Sequence, residues 1–199
     1  MARSNLFVAL ILIALASLAV PVGGQQAETT PTTGQTSKST LRIIYEQDQE
    51  NRSIADRARC REQVRQLISE GKVHSGEDYY YAAFVFQHGQ EPSDYLYAHI
   101  LAVTAVDKGL RNAIWLSTAT LDRYLHSVRQ PQVFGTQFGY GDRDDQEPYD
   151  RKLVSDPLRV QWCVATESTQ AQILSDTRAG KGFRSTRTCP LPGARFDTK

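Results

Sequence analysis

The chain has 199 residues, 40% of them hydrophobic and 23% charged, with 23 Lys and Arg against 22 Asp and Glu. That size and composition suit one globular domain with a core of normal extent. A chain so close to neutral has no electrostatic case for nucleic acid, which is excluded as a partner.

Residues 1–24 combine a basic start at Arg3, an apolar run from Leu6 to Val20 and the small residues Val22, Gly23 and Gly24. This pattern predicts a secretory signal cleaved after Gly24 and a secreted or periplasmic location. An uncleaved membrane anchor is the rival reading. The run is about 15 residues against the roughly 20 that span a bilayer, so no stable membrane insertion is expected after cleavage. Loss of Arg3 would leave 22 basic and 22 acidic residues.

Export would place Cys60, Cys163 and Cys189 in an oxidising compartment. Cys163 and Cys189 are the expected pair, closing a loop that stabilises by about 3 kcal/mol in the chain-entropy model. Cys60, inside a predicted helix, is expected to be an inert buried thiol.

Residues 25–40 carry six threonines and almost nothing apolar, so they read as a disordered Thr-rich linker. From Leu41 a helical pattern with a drifting apolar face runs to a stop at Gly71, with Asp48 and Arg52 placed as an exposed pair or with Arg52 turned inward. Asn51, Arg52 and Ser53 also form a glycosylation sequon. Residues 79–87, the most aromatic run, are apolar all round and predict a buried helix.

Ser93 reads as the N-cap of a helix over residues 94–108, ended by Gly109, with Ala98, Ala102 and Ala105 in one narrow stripe that lets a neighbour approach closely. A further helix over residues 110–128 has apolar residues on two sides, Ile114, Leu121, Leu125 and Val128 on one, Trp115, Leu116 and Ala119 on the other. Such a helix should lie between two layers. Gly139 to Asp145 form a polar loop whose spaced aspartates lack the glycine and closing glutamate of a calcium loop. Ser155, Asp156 and Pro157 can start a short helical turn, and Thr166 or Ser168 can cap a helix ending near Arg178 before Gly180.

Short loops between helices of this length predict an all-α fold, antiparallel helical hairpins in a repeat-like stack over residues 41–138. Residues 139–199 read as a less regular C-terminal extension packed on it.

The candidate site is read from polar residues on apolar surroundings. His99 falls in the middle of the apolar face of its helix, between Ala102 and Val106 on one side and Val103 on the other, where it should be buried and must find partners. His88 ends the preceding helix, within reach of the same face, and Asp122 lies at the margin of the next helix's apolar surface. The loop from Gln130 to Gln137 adds amides and hydroxyls, with Phe134 and Phe138 pinning it to the core while Gln132, Thr136 and Gln137 point elsewhere. His126 reads as a favourable charge at a helix C-terminus. No Gly-x-Ser-x-Gly elbow and no His-Glu-x-x-His motif are present, so no serine nucleophile, cofactor or metal is expected, a zinc site from His88, His99 and a carboxylate being the lesser alternative.

These residues resemble the motifs of an uncharacterised bacterial helical domain family of unknown function. The matching positions are Asp48-Gln49 with Arg52, Gln87-His88-Gly89, Ala98-His99 with Leu101-Ala102, Asp122-Arg123, and Pro131-Gln132 with Phe134-Gly135-Thr136-Gln137. The resemblance covers residues 41–138 and implies a domain with a site, without an activity. The helical hairpins are also loosely similar to tetratricopeptide and Sel1 repeats, although no second copy occurs at a fixed period.

The expected function is that of an exported binding or interaction module for a small ligand or a protein. Its polar centre comprises Gln87, His88, His99, Asp122, Arg123, Gln132, Thr136 and Gln137. The alternative is a hydrolase in which His88, His99 and Asp122 are the catalytic candidates, with His99 as general base, Asp122 or His88 orienting it and water as nucleophile. A purely structural network and a protein adaptor with an exposed apolar groove are the other two readings.

Overall fold

The structure is a computed structural model and describes residues 39–50, 53–138, 145–182 and 184–189. Among these residues the fold is all-α, as the sequence predicts. In chain order the helices are α1 (Thr40–Glu50), α2 (Ile54–Ser69), α3 (Gly76–Gln87), α4 (Pro92–Asp107), α5 (Ile114–Ser127), α6 (Asp156–Gln161) and α7 (Glu167–Arg178), with a 3-10 turn at Arg111–Ala113 before α5. The signal segment, all of the linker but Ser39 and Thr40, the polar loop at 139–144 and Arg52 of the Asp48–Arg52 pair lie outside the described residues.

Helix boundaries follow local chemistry. The single helix expected from Leu41 to Gly71 is two, because Ser53 starts a new one: its hydroxyl accepts the Asp56 amide at 3.1 Å and donates to the Asp56 carboxylate at 2.5 Å. Ser75 and Asp78 form a full capping box that starts α3 earlier than the aromatic run alone suggests. The start of α4 departs from expectation. Pro92 occupies its first turn and Glu91 is the N-cap, without a side-chain cap, so Ser93 lies inside the helix. Thr166 does cap α7, and Gly180 follows it with φ of +73°.

Helix α4 packs between α3 and α5, and α3 also meets α1 and α2. The small-residue stripe works as expected: Ala98, Ala102 and Ala105 are all buried. A Cβ on Gly76 would lie 2.9 Å from the Leu110 Cβ and 3.1 Å from the Ala105 carbonyl, so the start of α3 meets the end of α4 backbone to backbone. Phe86, Val64, Val85 and Leu116 are fully buried in this main core. Burying a side chain such as Phe86 contributes about 1.5–3 kcal/mol.

A second core gathers Phe134, Val154 and Val164, with Trp115, Leu121, Val133 and Trp162 packed against it. Helix α5 does lie between two layers, but the sides differ from the expected ones: Leu116 packs in the main core, while Trp115, expected beside it, joins Leu121 against the second. Its apolar sides are only partly used, however: Val128 is exposed, and the buried positions include Ser117, Thr118 and Thr120. Those hydroxyls donate to carbonyls three or four residues earlier in the same helix, which satisfies them without outside partners.

Within the C-terminal extension, residues 186–189 are tied back to residues 163–165. Cys163 and Cys189 lie at disulfide distance, with Cα atoms 5.2 Å apart, while Cys60 is free and buried. The Ala165 amide donates to the Thr186 carbonyl and the Thr188 amide to the Cys163 carbonyl, at 2.8 and 2.9 Å. No helix among the described residues is long and apolar enough to cross a membrane.

Candidate functional site

The loop after α5 is organised by one carboxylate. Asp122 is fully buried; its Oδ1 accepts the amides of Val133 (2.8 Å) and Phe134 (3.1 Å), and its Oδ2 accepts the Thr136 amide (2.9 Å) and hydroxyl (2.7 Å). Burial pushes the Asp122 carboxyl above its ordinary pKa, and the four hydrogen bonds pull against that shift. Gly135, at φ of +73°, completes the turn; a Cβ there would run into the Gln170 side chain and the Tyr149 ring.

A chain of amides grips the same loop. Gln132 Oε1 accepts the Gln137 amide (3.0 Å), while its Nε2 donates to the Gln137 carbonyl (3.0 Å) and to the Gln146 carbonyl. Gln146 Nε2 donates to the Gly135 carbonyl (2.6 Å) and to Gln170 Oε1 (2.8 Å). The Phe134 carbonyl accepts from Gln170 (2.9 Å), from the buried Arg159 (2.8 Å) and from the Tyr149 hydroxyl (3.3 Å). Burial pushes the Tyr149 pKa up to about 12. Gln132, Thr136 and Gln137 therefore do not point away from the core. They are buried because they satisfy one another.

Gln137 links this loop to Arg123. Its Nε2 donates to the Ala119 carbonyl (3.0 Å) and the Thr136 hydroxyl (3.2 Å), which fixes its Oε1 toward Arg123 Nε at 3.1 Å. Arg123 Nη1 also donates to the Gln87 carbonyl at 2.7 Å. Gln87, Arg123, Thr136 and Gln137 together form the polar side of a cavity of about 390 Å³. Trp115 and Ala119 of α5, Phe138, and Leu174 of α7 supply apolar wall, and Thr177, Ser185 and Thr186 close the remainder. The volume is that of a small-molecule site, apolar with a few positioned polar groups.

The two histidines stand apart from this cavity. His99 is only half-buried, because the buried face of α4 is narrower than its apolar run: Ile100 and Val103 are 51% and 44% exposed, which puts His99 at the border. Its Nδ1 lies 2.9 Å from the Ser117 carbonyl, so it donates there and clips α4 to α5. His88 caps α3 and places Nδ1 2.5 Å from Asp48 Oδ2. Asp48 is fully buried, facing His88 from α1. His88 lines a smaller polar cavity of about 150 Å³ with Ile54, Arg57, Arg61, Gly89 and Gln90. The expected single centre is thus divided: Gln87, Asp122, Arg123, Gln132, Thr136 and Gln137 come together, and His88 and His99 each have separate partners. Burial lowers the His126 pKa, contrary to a helix-end charge.

Compared with protein-family models, curated proteins and solved structures, the chain matches none. The site is therefore read from its own geometry.

Several contributors carry little sequence signal. Gln146 sits in a polar loop, and Arg159 on α6 is wholly buried although its residue type belongs on the surface. Gln170, Leu174 and Thr177 do fall on one face of α7 with the buried Ile173, a helical spacing that marks that face as inward. Among the described residues no three His, Cys, Asp or Glu side chains group as metal ligands.

Proposed function

We propose that the chain is an exported binding module whose cavity between α5, the 134–138 loop, α7 and the C-terminal segment holds a small molecule. One observation carries this reading: a cavity of about 390 Å³ has apolar walls and a polar side on which Arg123, Thr136 and Gln137 are locked by hydrogen bonds. Pre-positioned polar groups in an apolar cavity bind at little entropic cost. The apolar N-terminal run and the Cys163–Cys189 pair support an extracytoplasmic location.

A thermal-shift screen of a fragment library against the chain and its Leu174→Trp variant tests the reading. Compounds that fill the cavity stabilise the native chain and lose their effect when the new indole occupies the space. A screen with no stabilising compound, or with hits indifferent to Leu174→Trp, would sink it.

A hydrolytic role is the second reading, and the Asp48–His88 contact favours it at a different place from the one the sequence suggests. A buried carboxylate on Nδ1 orients the imidazole and leaves Nε2 as the base, beside a polar cavity that Arg61 also lines. Turnover of chromogenic esters or phosphoesters that disappears in both His88→Gln and Asp48→Asn would support it, and turnover indifferent to them would remove it.

A further inference from the structure

We infer that the cavity takes a monoanionic amphiphile, a carboxylate carried on an aromatic or aliphatic body, with the carboxylate on Arg123. The inference rests on the binding reading above and names the ligand's chemical class.

Arg123 is a cation held in place by neutral groups. Of its five N–H bonds, Nε donates to the Gln137 amide oxygen at 3.1 Å and one on Nη1 to the Gln87 carbonyl at 2.7 Å. Among the described residues the remaining N–H of Nη1 and both of Nη2 meet no acceptor, and the Tyr95 ring lies 6.0 Å from the guanidinium. Among the described residues no carboxylate lies within ion-pair distance of Arg123, whereas Arg61, Arg65, Arg151 and Arg159 each have one. The closest acid in sequence, Asp122, spends both oxygens on four donors of the loop. None of the described residues that line the cavity is acidic.

The surroundings add to that bias. The Arg187 guanidinium lies 4.8 Å from the Trp115 ring centroid, so a second cation stands against that wall residue. Arg123 is also pre-oriented. The Gln137 amide cannot turn over without losing the Ala119 carbonyl and the Thr136 hydroxyl, and Thr136 is fixed by Asp122. A planar guanidinium fixed on two of its bonds and free on the others suits a carboxylate, with charge-assisted bonds and little further ordering. One guanidinium at the wall matches one negative charge, and the Trp115, Ala119 and Leu174 surfaces give an apolar body its place.

The test compares 4-phenylbutanoate with 4-phenylbutanamide by calorimetry on the purified chain and on its Arg123→Gln, Arg123→Lys and Leu174→Trp variants, with folding checked by circular dichroism. The carboxylate should bind the native chain about tenfold or more tightly than the amide, with an affinity that falls as salt is raised. Arg123→Gln should bring the two ligands to within about threefold and Arg123→Lys should keep part of the preference, while Leu174→Trp blocks both. Equal binding of acid and amide, still blocked by Leu174→Trp, would overturn the anion inference and leave the binding reading standing. Binding of neither ligand, or binding insensitive to Leu174→Trp, would overturn both.

Discussion

Thr136 gives both its amide and its hydroxyl to one oxygen of Asp122, at 2.9 and 2.7 Å. Through that pair a buried carboxylate on α5 sets the loop that forms the polar side of the cavity. Thr136 Oγ1 then accepts from Gln137, and Gln137 accepts from Arg123. The order of these contacts determines what each substitution should do.

Asp122→Asn should destabilise the chain by about 1–3 kcal/mol, because the new NH2 would face an amide or hydroxyl donor where an acceptor is needed. Thr136→Val should cost about 1 kcal/mol, losing the hydroxyl alone. Urea midpoints of the two variants check the order, and a Thr136→Val loss equal to the Asp122→Asn loss would contradict it.

Gly135→Ala should cost more than 1 kcal/mol or so, since it combines a positive φ with a methyl group driven into Gln170 and Tyr149. The same change at Gly109 also meets a positive φ, of +90°, but open space. Thermal midpoints should therefore fall further for Gly135→Ala than for Gly109→Ala.

Cys189→Ser should lower stability by about 3 kcal/mol in the chain-entropy model. It should also weaken 4-phenylbutanoate binding, because Ser185 and Thr186 line the cavity in the segment that this bridge holds. Calorimetry under reducing conditions offers the same comparison without a mutation.

His88→Ala should destabilise more than Asp48→Ala. Removing the imidazole leaves a fully buried carboxylate without its 2.5 Å partner, whereas removing the carboxylate leaves a half-buried histidine that water can reach. Denaturant midpoints for the pair decide it, and the reverse order would mean that the Gln49 side-chain amide, which donates to Asp48 Oδ2 at 3.3 Å, is enough to hold the buried carboxylate.

Cys60 should react slowly with a thiol reagent in the native chain and rapidly in denaturant. Burial, followed by the nearby carboxylates Asp48 and Asp56, raises its pKa, so little thiolate is present near neutral pH. A native rate close to that of the unfolded chain would contradict its burial.

The sequence by itself determined what is local. Caps at Thr166 and glycine stops at Gly109 and Gly180 are read from neighbouring residues, because a helix end satisfies its backbone within a few positions. The alanine stripe on α4 and the two-sided character of α5 followed from helical period, and Cys163 and Cys189 from their flanking places in the chain. Local signals also misled where two compete, as Pro92 and Ser93 do at the start of α4.

Only the tertiary structure decided which polar residues meet. His88 pairs with Asp48 forty residues away, and Arg123 reaches the Gln87 carbonyl thirty-six residues away. Helical phasing places His99 on an apolar face, but not at that face's border, because burial depends on how wide a neighbour covers it. Gln146, Arg159 and Gln170 look like surface residues in the sequence; they are buried because the carbonyls of Phe134 and Gly135 turn toward them and accept from each.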